Sequence, residues 1–191
     1  QTSHRSGRLM EMGKGFSAAD GLIKQDLGKL IQDCCRDRGL NVHLDAIIND
    51  SSASFLSTAY VDASTRFALI LGTGLNAAVY LPVHLFTPSK FGIRPPEWHA
   101  LAEQIIVNTE MSMMGKDFLP VTKWDIELRS DLPNPEFQPF EYFVGGRYLG
   151  EIVRLVLIDG IENAGLFGGI VPPSLREKYS LDTQTISEIE V

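Results

Sequence analysis

Asp50 stands where an apolar run, Ala46-Ile47-Ile48, gives way to Ser51-Ser52-Ala53-Ser54 and the apolar pair Phe55-Leu56. A second apolar run, Phe67 to Leu71, discharges into Gly72-Thr73-Gly74. A carboxylate at one strand end and a glycine–threonine turn at the next suit phosphoryl transfer: the carboxylate accepts a hydroxyl proton, and turn amides hold a phosphate. Each feature also has a plainer reading. Asp50 suits a helix N-cap, and capping is compatible with base chemistry, because an anion interacts favourably with a helix N-terminus. The turn suits a hairpin that uses glycine only for its backbone. It is not a P-loop, since Gly-Lys-Ser/Thr is missing and a strand-like segment follows.

Glu110 follows Ile105-Ile106-Val107, and Glu151 lies between Leu149 and Ile152. A glutamate in an apolar setting calls for a partner. One role is to accept hydrogen bonds from sugar hydroxyls, which two carboxylate oxygens can bridge; for Glu151 a solvent-facing helix position is the alternative. Asn49, Asn76 and Asn108 add amide donors and acceptors, or form turns. The four histidines show no motif and read as structural or surface residues. Cys34 and Cys35 are adjacent, with no ligand partners at metal spacing, and read as reduced thiols of a cytosolic protein. No metal site is expected.

These residues need elements to position them. Spacing predicts a helix over 22–38 with Gly39 as its stop, a strand from Val42 to Ile48, and a helix from Ser51 to Tyr60 capped by Asp50 or Ser51. Phe67 to Leu71 and Ala77 to Val83 predict a hairpin, and Gln104 to Val107 a strand. Residues 111–138 hold Pro120, Pro133 and Pro135 and predict mostly loop. Phe140 to Ile161 carries a broad apolar face and predicts the longest helix. Within it, Gly145-Gly146 costs roughly 1 kcal/mol per glycine against alanine, so close approach of another backbone is expected there. The order is α/β or mixed.

The 191 residues are 44% hydrophobic and 21% charged, the balance of an ordinary globular chain. A net charge of −7 argues against general nucleic-acid binding but not against a nucleotide whose charge magnesium offsets. No apolar run approaches a membrane span. Gln1 in place of Met, and an element that starts near Asp182, suggest an internal piece of a longer protein.

Taken in order, these segments resemble the eukaryotic hexokinase family, in a divergent, fungal-type form. Gly13-Lys14-Gly15-Phe16 is similar to Trp-Thr-Lys-Gly-Phe, Ile48-Asn49-Asp50 to Val-Asn-Asp-Thr, and Leu71 to Ala77 to Leu-Gly-Thr-Gly-Thr-Asn-Ala. Asn108-Thr109-Glu110, Leu119-Pro120-Val121-Thr122-Lys123-Trp124-Asp125, Pro133-Asn134-Pro135, Phe140-Glu141, Tyr148 to Leu155, and the ending Asp182-Thr183 to Glu190 also follow the family. The collinear order makes the resemblance specific over nearly the whole chain.

The resemblance implies an actin-like, ribonuclease-H-like α/β fold of two lobes. Residues 1–50 would close the small lobe and 51–191 form part of the large one. It implies ATP-dependent phosphorylation of a hexose of the glucose, fructose or mannose class at the 6-hydroxyl, the first step of glycolysis, in the cytoplasm, with magnesium carried on ATP. Asp50 would be the base; Lys14, Asn49, Asn76, Glu110 and Glu151 would contact the hexose; Gly72, Thr73 and Gly74 would face the ATP phosphates. The first phosphate loop, the Ser-Phe-Pro sugar contact and the adenosine site have no counterpart in these residues. Departures from the family pattern are Gly13 for Thr, Ser51-Ser52-Ala53-Ser54 for Thr-Val-Gly-Thr, and Met111-Ser112 for an aromatic-glycine pair. They motivate an alternative, a hexokinase-like sugar sensor with weak or no catalysis.

Overall fold

The computed structural model describes residues 3–10, 19–91 and 94–189. Helix α1 (Leu27–Asp37) starts later than its apolar spacing predicts, because Asp26 caps it, accepting from the Gly28 and Lys29 N–H groups at 2.9 and 3.3 Å. It ends before Gly39, whose φ of 68° is the left-handed conformation that suits glycine. The segment Val42 to Ile48, expected as a strand, is extended chain outside the sheet. Its Ile47 N–H bonds to the His4 carbonyl at 2.7 Å, an isolated contact rather than a ladder.

Helix α2 (Asp50–Ala59) comes next, followed by strands β1 (Phe67–Leu71) and β2 (Leu75–Pro82). Short helices α3 (Pro88–Phe91) and α4 (Pro96–Leu101) precede strand β3 (Gln104–Asn108). The sheet is an antiparallel meander in the order β1-β2-β3. Leu71 pairs with Leu75 across Gly72-Thr73-Gly74, and Ala78 pairs with Asn108. A small residue at the centre of β2 lets α2 approach: Ala78 is buried on the same face as Tyr80, and Phe55 of α2 meets the Tyr80 ring edge-on with centroids 4.7 Å apart. Phe67, Leu69 and Leu71 of β1 project from the opposite side and are exposed.

Helices α5 (Lys123–Ser130), α6 (Pro139–Val144), α7 (Gly146–Ala164) and α8 (Thr183–Ile189) complete the chain. A second core joins Leu128 of α5, Tyr142 of α6, and Tyr148 and Leu155 of α7. Residues 111–138 are mostly loop, as expected, but within them Thr122 and Asp125 form a reciprocal capping box that nucleates α5. The long helix is not continuous: Gly145, at φ −69° and ψ 133°, leaves the helical conformation and separates α6 from α7. Among the described residues no helix is long and apolar enough to cross a membrane.

Candidate functional site

The polar residues at the start of α2 meet those at the ends of β2 and β3. Asn49, not Asp50 or Ser51, is the N-cap of α2; its Oδ1 accepts from the Ser51 N–H at 2.9 Å and from the Ser51 hydroxyl at 2.6 Å. Ser51 is fully buried, and its hydroxyl also reaches Asn108 Oδ1 at 3.3 Å. Asn76 Nδ2 donates to the same Asn108 oxygen at 2.8 Å, and Asn108 Nδ2 donates to Glu110 Oε1 at 2.7 Å. One hydrogen-bonded line thus runs from Asn49 through Ser51, Asn76 and Asn108 to Glu110, joining three elements. It borders a cleft of about 620 Å³ lined in part by Arg8, Ile48, Asn49 and Asn108.

Because Asn49 takes the cap, Asp50 becomes the first helical residue and its side chain is exposed. Its Oδ1 accepts from the Ser51 N–H at 2.8 Å. The carboxylate therefore sits at the positive end of α2, beside the polar line and open to a hydroxyl. Glu110 is also exposed, and its backbone is left-handed, φ 47° and ψ 41°. That conformation costs a non-glycine residue about 1–3 kcal/mol and persists where surrounding structure enforces it. Here Asn108 grips the carboxylate while the Met113 N–H bonds to the Glu110 carbonyl at 3.0 Å.

The Gly72-Thr73-Gly74 turn is held from behind. Gly72 N–H bonds to the Gly74 carbonyl at 3.0 Å, the Gly72 carbonyl accepts from Gly146 N–H at 2.7 Å, and the Thr73 carbonyl accepts from Arg147 N–H at 3.2 Å. Leu75 N–H donates to Glu141 Oε2 at 2.8 Å. The backbone approach expected at Gly145-Gly146 is therefore this turn. Thr73 faces outward onto a cleft of about 530 Å³ that Arg147, Tyr179 and Thr183 also line. The Arg147 guanidinium lies 5.7 Å from the Tyr179 ring centroid, a cation–π contact that holds a positive charge beside the turn.

Glu151 does not join this arrangement. It is buried, with Oε1 and Oε2 taking Arg154 Nη2 and Nε at 2.6 and 2.7 Å, and Oε2 also accepting from Tyr179 N–H at 2.6 Å. All of these partners lie in α7 or in the segment after it, so Glu151 is held in an ion pair and has no bond to the line from Asn49 to Glu110. The Glu151 carboxylate in turn holds the Arg154 guanidinium above its ordinary range. The position expected for Lys14 falls outside the described residues.

Three residues at the site, Ser51, Glu141 and Arg147, were not assigned a site role from sequence. Ser51 and Asn108 are the joints of the polar line. Glu141, fully buried, reaches the residue that follows the turn, and it carried the same signal as Glu151, a charge set in the apolar run Phe140 to Val144. Arg147 gave no signal beyond its place after two glycines. Ser112 is buried, and its hydroxyl accepts from Gln138 Nε2 at 3.3 Å, so its added bulk is packed and bonded.

A family model described as Hexokinase matches residues 66–191, and a second, also described as Hexokinase, matches residues 1–60. Hexokinase-1 of Nicotiana tabacum is 34% identical over 190 residues, which is 98% of this chain and 36% of that protein. Hexokinase-2 of Arabidopsis thaliana is 35% identical over the same shares. These relatives are plant proteins, which corrects the expectation of a fungal-type member. A solved hexokinase from Schistosoma mansoni, complexed with glucose, superposes with a TM-score of 0.85 at 30% identity, over 100% of this chain and 41% of that one. The chain spans 36% of the length of the two plant relatives. Matched by the two models over most of its residues, and folded as its solved relative is, the chain belongs to the hexokinase family.

Proposed function

We propose that this chain supplies the catalytic base, part of the hexose site and the second phosphate turn of an ATP-dependent hexose kinase. The reaction would place phosphate on the 6-hydroxyl and open glycolysis. The hydrogen-bonded line from Asn49 to Glu110, with Asp50 exposed beside it, carries this reading. A hexose hydroxyl is both donor and acceptor. A row of amides between two carboxylates can satisfy several neighbouring hydroxyls at once.

In the reaction the 6-oxygen attacks the γ-phosphorus as the bond to the β-phosphate oxygen breaks. The hydroxyl proton passes to Asp50 late, when the oxygen has become acidic enough for a carboxylate to take it. Asn49, Asn76 and Glu110 hold the sugar so that this hydroxyl faces Asp50. The Gly72-Thr73-Gly74 turn, with Arg147 beside it, offers amides, a hydroxyl and positive charge to the nucleotide phosphates, whose magnesium arrives with them. We place the lobe boundary at Asp50, with residues 1–50 on the small-lobe side and 51–191 on the large-lobe side.

The test is a coupled assay with glucose, fructose and mannose on the product of the complete open reading frame. Turnover that disappears in Asp50→Ala is the expected result. Hexose binding by calorimetry without turnover would instead favour the sensor reading. The buried Ser112, filling space where the family keeps glycine, is the observation that favours that alternative.

A further inference from the structure

The start of α7 has an unusual set of partners. The first N–H groups of a helix have no intrahelical acceptor and commonly face a ligand or water. Here Gly146 and Arg147 direct theirs to the Gly72 and Thr73 carbonyls, at 2.7 and 3.2 Å. The approach is close enough that a Cβ on Gly146 would stand 2.9 Å from the Gly72 oxygen, and one on Gly145 would stand 3.1 Å from the Thr73 oxygen and 2.8 Å from the Glu141 oxygen. Backbone carbonyls cannot yield as a flexible side-chain tip can, so the turn itself would have to move.

The same helical turn is fixed on its other side. The Thr183 hydroxyl donates to the Gly146 carbonyl at 2.5 Å and accepts from Gly150 N–H at 3.0 Å. Gly150 has no room for a side chain either, since its Cβ would lie 2.2 Å from the Leu181 carbonyl oxygen. Backbone of the phosphate turn, of α7 and of residues 181–183 is therefore stacked in contact, with glycine at each crossing and one threonine hydroxyl joining the last two.

We propose that Gly146 and Thr183 are positioning residues. They set where the Gly72-Thr73-Gly74 turn stands, so α7 acts on the nucleotide through that turn rather than by giving its first amides to phosphate. This deepens the function proposed above and rests on the turn being the phosphate site. Gly146→Ala should displace the turn while leaving the Asn49-to-Glu110 line in place. Thr183→Val removes both hydroxyl bonds, and Thr183→Ser keeps them.

The experiment measures two affinities by calorimetry on the product of the complete open reading frame: glucose alone, and a non-hydrolysable ATP analogue with magnesium. Losing one hydrogen bond to a charged phosphate costs about tenfold or more, so the expected loss in analogue affinity for Gly146→Ala is at least about tenfold. Thr183→Val should show a smaller loss in the same direction, and Thr183→Ser should restore the parent value. Glucose affinity should stay within about twofold in all three, on the scale where a tenfold change is 1.4 kcal/mol. Analogue affinity unchanged in Gly146→Ala would overturn the proposal, as would parallel loss of glucose and analogue binding, which would mark a general structural role. If the parent binds both ligands but turns over neither ATP nor sugar, the kinase reading fails. The analogue measurement then still decides the positioning proposal.

Discussion

Glu110 and Glu151 read alike in the sequence, as glutamates in apolar surroundings, and stand in opposite environments in the structure. Glu110 is exposed on a left-handed backbone and held by one amide; Glu151 is buried with both oxygens engaged by a guanidinium. Replacing Glu151 with glutamine leaves the buried Arg154 charge without its counter-ion, which costs about 3–5 kcal/mol for a pair of this kind. Glu151→Gln should therefore lower the unfolding free energy in urea by that order, while hexose affinity of the folded protein is retained. A selective loss of hexose affinity at unchanged stability would return Glu151 to the sugar site. Asp50 is the reverse case. It is exposed, and among the described residues its carboxylate bonds to the neighbouring Ser51 N–H, so Asp50→Asn should fold normally and bind hexose within a few-fold of the parent. Its turnover should fall by about 10²–10⁴, the usual contribution of a positioned base. A steady-state assay beside calorimetry separates the two effects, and equal losses in both would remove Asp50 from the proton-transfer role.

At the scale of elements, capping and glycine chemistry decide most boundaries. Thr122-Lys123-Trp124-Asp125 carries the capping pattern of α5, with Thr122 N–H donating to Asp125 Oδ2 at 2.7 Å. Thr122→Ala should lower stability by about 1 kcal/mol, read as a shift in urea midpoint at constant m-value, without changing hexose affinity. Prolines at 120, 133 and 135 make the whole stretch look like loop and mask that signal. The hairpin and β3 were legible because alternation and a glycine turn are local properties. Val42 to Ile48 was misread for the complementary reason: β-branched composition describes a chain that can pair, but pairing depends on a partner distant in sequence. The site was legible in part. Asn49, Asp50, Asn76 and Glu110 stand near one another as expected, yet their connection runs through Ser51 and Asn108, whose part depends on how β2 and β3 pair. The break at Gly145 was foreshadowed by the glycine pair, but its cause, the carbonyls of a turn some seventy residues earlier, is a tertiary fact.

At the scale of the whole molecule, the described residues form two packed regions, α2 against the sheet and α5–α6–α7 around Tyr142 and Tyr148, joined through the Gly72-Thr73-Gly74 turn and Glu141. The second region contains the ionisable group that burial perturbs most clearly in one direction. Tyr148 is 2% exposed, its ring meets Tyr142 at 5.1 Å, and burial, with the Glu141 and Tyr142 hydroxyl or carboxylate charge nearby, pushes its phenol up to about 12. Burial raises Tyr142 and Tyr179 in the same direction. An unfolded tyrosine releases its proton near 10, so between about pH 10 and 12 the unfolded state binds fewer protons than the folded one, and stability falls as pH rises. The contribution is fully present below pH 10 and is lost through that window. Tyr148→Phe keeps the ring and removes the phenol. Its urea unfolding free energy, measured from pH 8 to 11.5, should decline less steeply above pH 10 than the parent's, with the two curves parallel below it. Identical slopes above pH 10 would mean that the Tyr148 hydroxyl already reaches solvent in the folded protein, and that the packing of Tyr142 against Tyr148 leaves an open path to the centre of the second core.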